Sequence, residues 1–149
     1  MKREALTGSR RLVRLVDASA NRTMEALRVL EDVSRFLLND PKTLRVLRSL
    51  RHRVPKILER SGLGPEIRFE ERNISEDFGK EPHAWEGSRP SIRDLVLANT
   101  QRAKESLRAL EESLKLLDGT GWKSFKQIRF ELYDLEPKIL KRVQTLRDR

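Results

Sequence analysis

The sequence contains no cysteine, which removes disulfides, thiolate metal sites and cysteine nucleophiles from the chemistry open to it. Histidine is nearly absent, and His52 and His83 are too few for a histidine-rich metal centre. Aromatic residues make up 5% of the chain and do not alternate with the arginines, which counts against stacking on single-stranded nucleic acid. No apolar run approaches the roughly 20 residues that span a bilayer, so no membrane partner is expected. The start, Met1-Lys2-Arg3-Glu4-Ala5-Leu6, lacks the apolar stretch and cleavage site of a secretory leader, so the expected location is the cytoplasm. Also missing are a GxxxxGK[ST] phosphate loop, a GxGxxG turn, zinc-ligand spacing and a nucleophile elbow. Any nucleotide site must therefore be built without a glycine-rich cradle.

What the sequence has in quantity is charge. Charged and apolar residues each make up 37% of 149 residues, a balance that suits helices burying one face and solvating the other. The length predicts one domain, 1–149, with a core of its own. The net charge of +9 is unevenly spread: residues 1–60 carry fifteen basic and seven acidic side chains, residues 61–90 four and seven, and residues 91–149 thirteen and nine. Such an arginine excess suits an anionic partner, and phosphorylated small molecules fit as well as nucleic acid does.

Helical periodicity predicts four main helices, over 9–38, 42–60, 90–117 and 122–146. Thr7-Gly8-Ser9 is read as the start of the first and Asn39-Asp40-Pro41 as its stop. Asp40 has the place of an N-cap for the second, with Pro41 at its first position, and Ser91 and Asp94 have capping-box spacing before the third. Between the pairs lies an irregular central loop, 61–89, in which Glu66-Ile67-Arg68-Phe69-Glu70 is read as a short extended piece.

The pattern repeats. Asn21-Arg22-Thr23-Met24-Glu25-Ala26-Leu27-Arg28-Val29-Leu30-Glu31-Asp32 returns as Gln101-Arg102-Ala103-Lys104-Glu105-Ser106-Leu107-Arg108-Ala109-Leu110-Glu111-Glu112, and Pro55-Lys56-Ile57-Leu58 returns as Pro137-Lys138-Ile139-Leu140. The predicted fold is therefore all-α, an internally duplicated, pseudo-twofold bundle with repeats over 9–60 and 90–146.

On the repeated helices Leu12, Val16, Ala20, Leu27, Leu30 and Leu37, matched by Ile92, Val96, Thr100, Leu107, Leu110 and Leu117, share one face and are read as core. A second face carries Asp17, Asn21, Glu25, Arg28 and Asp32, matched by Gln101, Glu105, Arg108 and Glu112, with Glu31 and Glu111 at its edge. One reading is a solvated face held by i, i+3 and i, i+4 ion pairs. The other is chemical: adjacent carboxylates such as Glu31-Asp32 and Glu111-Glu112 can hold a hard cation, and arginines one turn away can hold phosphate. Together these are the components of phosphoryl transfer. Pro55 and Pro137 free the carbonyls of Arg51 and Tyr133 and are read as kinks.

Taken in order, Asp17-x-x-x-Asn21-Arg22-x-x-Glu25-x-Leu27-Arg28-Val29-Leu30-Glu31-Asp32, Leu50-Arg51-His52, Arg72-Asn73, Asp77-x-Gly79, Ala98-Asn99-x-x-Arg102-x-x-Glu105-x-Leu107-Arg108-x-Leu110-Glu111-Glu112 and Tyr133-x-Leu135-Glu136 resemble one family. It is the small hydroxymethylpyrimidine phosphate kinase domain, which occurs alone or fused ahead of thiamine-phosphate synthase. The resemblance runs from about Leu12 to Leu140. It implies ATP-dependent phosphorylation of 4-amino-5-hydroxymethyl-2-methylpyrimidine phosphate to the diphosphate and no action on the unphosphorylated alcohol. The family's loop reads Arg-x-Thr and Asp-x-Gly-Thr, whereas Ile74 and Lys80 stand at the two threonine positions here, which leaves that loop's role open. Ser19 replaces a family asparagine that Asn99 keeps in the second copy.

On this resemblance Glu31, Asp32, Glu111, Glu112 and Asp77 are the expected Mg²⁺ ligands. Arg22, Arg28, Arg102 and Arg108 are the expected phosphate clamps, with Arg51 and Arg72 as helpers. Asn21, Asn99 and Tyr133 would read the pyrimidine edge, and Glu25 and Glu105 belong to the same binding rows. The site is expected where both rows face one shared cavity, within one bundle or across a homodimer. Two other readings stand beside the kinase: a basic helical binding module without catalysis, and a Mg²⁺-dependent nucleotide pyrophosphohydrolase.

Overall fold

The helical periodicities become five α-helices in the computed structural model, which describes residues 2–82, 84–117 and 119–147, with side chains described for 9–82, 86–117 and 119–146. They are α1 (Lys2–Asp32), α2 (Pro41–Arg60), α3 (Pro65–Glu70), α4 (Ile92–Leu117) and α5 (Trp122–Arg147). A 3₁₀ turn spans Ala84–Gly87, and the described residues include no strand.

The first helix starts earlier than expected, running through Thr7-Gly8-Ser9, because one glycine among helix formers lowers helix stability without ending it. Its far end widens into a π-helical turn, Val33–Leu37, closed by the Leu38 amide donating to the Val33 carbonyl at 3.0 Å. That turn shifts the register by one residue. Leu38 (7% exposed) therefore enters the core, and Leu37, expected there, is 42% exposed. Ile92, expected as core, is 37% exposed because it opens α4.

Asn39 at φ 50° reverses the chain, and Asp40 caps α2 by accepting from the Thr43 amide at 3.2 Å and the Thr43 hydroxyl at 2.7 Å. Past α2, Gly62 at φ +72° forms a Schellman closure. Its amide donates to Glu59, and the Leu63 amide donates to Leu58 at 2.8 Å. Buried Leu63 then leads into α3, where an extended segment was expected. Pro65 at the first helical position presets the helical φ there.

The four long helices close a ring in which each neighbour runs antiparallel. α1 meets α4 along a seam of small residues, Ser19, Thr23 and Ala26 against Ala103, Ser106 and Ser113, all buried. Small side chains let the two axes approach closely, and the Thr23 and Ser106 hydroxyls hydrogen-bond across at 2.7 Å. Arg53 to Glu131 (2.8 Å) and Arg142 to Asp40 (3.5 Å) tie α2 to α5. Leu27, Leu30, Leu47, Leu50, Leu107, Leu110, Phe125 and Ile128 fill the centre. No described helix is long and apolar enough to cross a membrane.

Candidate functional site

Two carboxylates on the repeated segments are almost sealed from water: Glu31 is 1% exposed and Glu111 0%. A buried carboxylate must be paired, and each is gripped by a guanidinium from the next long helix. Arg51 Nε donates to Glu31 Oε1, and its Nη2 donates to Oε2 at 3.3 Å. Arg129 makes the same two-pronged contact with Glu111, the second bond at 3.2 Å. The Glu111 contact, reinforced by Tyr133, raises the pKa of Arg129.

Arg28 and Arg108 sit above these pairs, each about half exposed. Arg28 lies 3.6 Å from Glu31 and 3.8 Å from Asp32, and Arg108 lies 3.2 Å from Glu111 and 3.0 Å from Glu112. The Lys115 ammonium, bonding Glu112 at 2.7 Å, holds its carboxyl below the usual range, with Arg108 adding to the effect. Each helix thus offers one guanidinium steered by acids behind it, with its outer edge open to solvent.

Parts of the two rows line separate clefts, Asp17 and Asn21 of α1 the one and Gln101, Glu105 and Arg108 of α4 the other, while Glu112 lies beside Leu12 and Leu15 of α1. Among the described residues of one chain, the two rows, expected to face one cavity, are not brought together in either cleft. One, of about 400 Å³, lies between α1 and the segment after α3. Arg11, Arg14, Asp17, Asn21, Arg72, Asn73, Ile74 and Asp77 line it. Its foundation is Asp17, which is buried and binds Arg68 at 3.0 Å and Arg72 at 2.7 and 2.9 Å. Those bonds raise the pKa of Arg72 and fasten α3 to α1. Arg14 adds a bond to the Asn73 carbonyl at 3.3 Å. Asp77 is exposed and accepts from the Gly79 amide at 2.9 Å.

The other cleft, of about 370 Å³, opens between α4 and α5, lined by Gln101, Lys104, Glu105, Arg108, Arg129 and Tyr133. Lys104 lies 4.9 Å from the centre of the Tyr133 ring and bonds Glu136 at 2.7 Å, and Glu136 accepts from Thr100. Gln101 donates to Glu105 at 2.8 Å. Since Thr23 faces Ser106 across an antiparallel seam, Asn21 and Arg108 lie at one level of the bundle. The two clefts therefore meet in height only at that level, the first extending from it toward Arg11 and the second toward Gln101.

The structure brings Asn21, Arg72 and Asp77 together in the first cleft and Glu105, Arg108 and Tyr133 in the second. Glu31 with Arg28, Arg51 and Asp32 forms one ionic cluster, and Glu111 with Arg108 and Glu112 another. Arg22, Glu25 and Arg102 are exposed on α1 and α4 and do not line the clefts. Asn99 turns its amide back to the Leu95 carbonyl of its own helix at 2.9 Å. Sequence reasoning missed Arg129 and Lys104, and it saw Asp17 only as one residue of a charged row. The repeat aligns Arg51 with Tyr133, but the guanidinium that grips Glu111 comes from one turn earlier, so the repeat could not point to it.

Among the described residues no three histidines or carboxylates cluster to hold a metal ion. Glu31 and Glu111 are enclosed by arginines, which leaves Asp32, Glu112 and Asp77 as the solvent-facing acids among the expected ligands. Of these, Asp32 pairs with Arg28 and Glu112 with Arg108 and Lys115, so Asp77 is the one that lines either cleft without a basic partner among the described residues.

A model of the ThiD2 family matches residues 14–138. A thiamine-phosphate synthase of Nostoc punctiforme is 35% identical over 128 residues, covering 85% of this chain and 35% of the relative. Those of Rhodopirellula baltica and Synechocystis sp. are each 34% identical, over 129 and 142 residues, covering 84% and 91% of this chain and 33% and 38% of theirs. The chain spans about a third of the length of these curated relatives. A search of solved structures gave no match. The chain belongs to the ThiD2 family.

Proposed function

We propose that this chain is a kinase of thiamine biosynthesis that transfers the γ-phosphate of ATP to 4-amino-5-hydroxymethyl-2-methylpyrimidine phosphate. The observation that carries the reading is the cleft on α1, where Arg11, Arg14 and Arg72 converge with Asn21, Asn73 and the exposed Asp77. Guanidiniums and amides beside one exposed acid, with the second acid Asp17 buried and holding Arg72, form a donor set for a phosphorylated ligand that brings a divalent cation with it. The second cleft supports the same reading, because Tyr133 offers a flat ring between Lys104 and Arg129 beside the open edge of Arg108. The relatives' name, thiamine-phosphate synthase, places them in the same biosynthesis.

In this reaction a terminal oxygen of the acceptor phosphate bonds to the γ-phosphorus as the bond to the β–γ bridging oxygen breaks, releasing ADP. The attacking oxygen is already anionic near neutral pH, so the chain has to supply position and positive charge more than a strong base. Mg²⁺, when bound with the nucleotide, adds charge neutralisation on the phosphates. Arg28 and Arg108 are oriented by acids behind them, so they need not reorganise as charge develops. An acceptor without its phosphate would leave arginines facing nothing, which opposes binding of the free alcohol.

The test is phosphorus NMR of the protein with ATP, Mg²⁺ and either the pyrimidine phosphate or the free alcohol. The expected result is a pyrimidine diphosphate from the first mixture only. Pyrophosphate release would identify a pyrophosphohydrolase, and no change in any phosphorus signal would leave a binding module.

A further inference from the structure

A groove of about 770 Å³, larger in volume than either cleft, lies between the first turn of α4 and the last turns of α5. Pro137, Leu140 and Val143 supply an apolar floor, and Arg93, Lys138 and Lys141 a basic rim, with no acid in the lining. Lys138 bonds Asp134 one turn back at 2.7 Å, between two largely exposed side chains, so that pair adds little. Arg93 and Lys141 make no ion pair among the described residues. Where α1 meets the end of α2, α3 covers the junction, with Arg68 buried against Asp17. No described segment covers this groove in the same way.

The complementary chemistry follows α3. Ile74 is 65% exposed and Phe78 100%, and they are interspersed with Glu76, Asp77 and Glu81 against the one base Lys80. A phenyl ring held wholly in water beside a second exposed aliphatic side chain marks a surface that gains by being covered. In its own chain the segment is held away from this groove. Arg72 bonded to Asp17, and Asn73 bonded to Arg14, anchor it on α1, which sits diagonally across the ring from α5.

We propose that the α4/α5 groove is the seat for residues 74–81 of a second copy of this chain. Phe78 and Ile74 would lie on the apolar floor, and Glu76 and Glu81 would face Arg93, Lys138 and Lys141. Each copy carries one segment and one groove, so a reciprocal exchange closes the assembly as a twofold pair. The segment borders the first cleft through Ile74 and Asp77, but the self-association test reads assembly and not turnover.

Sedimentation equilibrium of the full chain over a concentration series tests it. The expected result is a reversible dimer that weakens in high salt, where opposite charges are screened. Phe78→Ala should weaken it about tenfold or more, and so should the pair Lys138→Glu with Lys141→Glu. A chain carrying Glu76→Lys and Glu81→Lys should also lose self-association. Mixing it with the Lys138→Glu, Lys141→Glu chain should restore a heterodimer, because both segment–groove contacts are then complementary. Two misfolded variants could not rescue each other, so recovery separates loss of contact from loss of fold. A wild-type chain monomeric at every concentration, a dimer indifferent to these substitutions, or a mixture that stays monomeric would overturn the proposal.

Discussion

At the scale of single residues, the buried glutamates are where structure and chemistry meet. Removing Glu111 leaves Arg129 partly buried without its carboxylate, so Glu111→Ala should cost about 3–5 kcal/mol in a urea titration. A loss under about 1 kcal/mol would mean that the pair is loose and water-filled. Arg28 and Arg108 are half exposed and should matter little to stability. Arg28→Ala and Arg108→Ala should each lower turnover by about 10²–10³-fold while the circular dichroism spectrum is unchanged. Turnover equal to wild type in both would remove them from the phosphate clamp. The sequence showed that Glu31 and Glu111 repeat with arginines one turn before them. It did not show that both acids are buried, because an acid at the edge of an apolar stripe reads the same whether a distant arginine covers it or water does. Asp17 was hidden for a related reason: its partners Arg68 and Arg72 lie more than fifty residues away, beyond the reach of helical spacing.

Among the elements, ends set by local chemistry were legible and those set by tertiary contact were not. Asp40-Pro41 announced the start of α2, and the Asp40 carboxylate does accept from Thr43 there. Ser91 and Asp94 hydrogen-bond each other at the start of α4 as their spacing suggested. The π turn at Val33–Leu37 carried no such signal, and α3 carried only Pro65 at its first position. The first depends on how α1 meets the turn into α2, and the second on Arg68 reaching Asp17.

The Asp40 cap has a pH signature. Burial works against its charge, yet the Thr43 hydroxyl and amide, followed by Arg142, outweigh it and hold the carboxyl below its ordinary value. A depressed folded-state pKa gives stability that is fully present above the unfolded value of about 3.9 and is lost as pH falls through the folded value. Asp40→Ala should therefore cost about 1 kcal/mol near neutral pH, and the gap from wild type should shrink below pH ~4. A gap constant down to low pH would show that the charge is not what caps α2. Gly62 makes a second test. A Cβ there meets nothing within 4 Å, so Gly62→Ala should cost about 1–2 kcal/mol from the positive φ alone, read by thermal melting.

For the whole molecule, a ring of four long helices followed from periodicity and repeat, since both hairpins bury the same kind of apolar stripe. The placement of the charged rows did not follow, because nothing in one helix's pattern says which flank its neighbour covers. Small residues along Ser19, Thr23 and Ala26 bring α4 close to α1, and the two clefts that carry parts of the charged rows lie on separate flanks. In the proposed phosphoryl transfer, that arrangement leaves the positive charge to exposed guanidiniums fixed from behind by acids. The most direct check on it is to follow the γ-phosphate itself, using ATP labelled at that position with Mg²⁺ and the pyrimidine phosphate. The expected result is label carried into the pyrimidine diphosphate by the wild-type chain and nearly none with Arg108→Ala. Label that leaves as inorganic phosphate, or stays in ATP while the pyrimidine phosphate is unchanged, would contradict it.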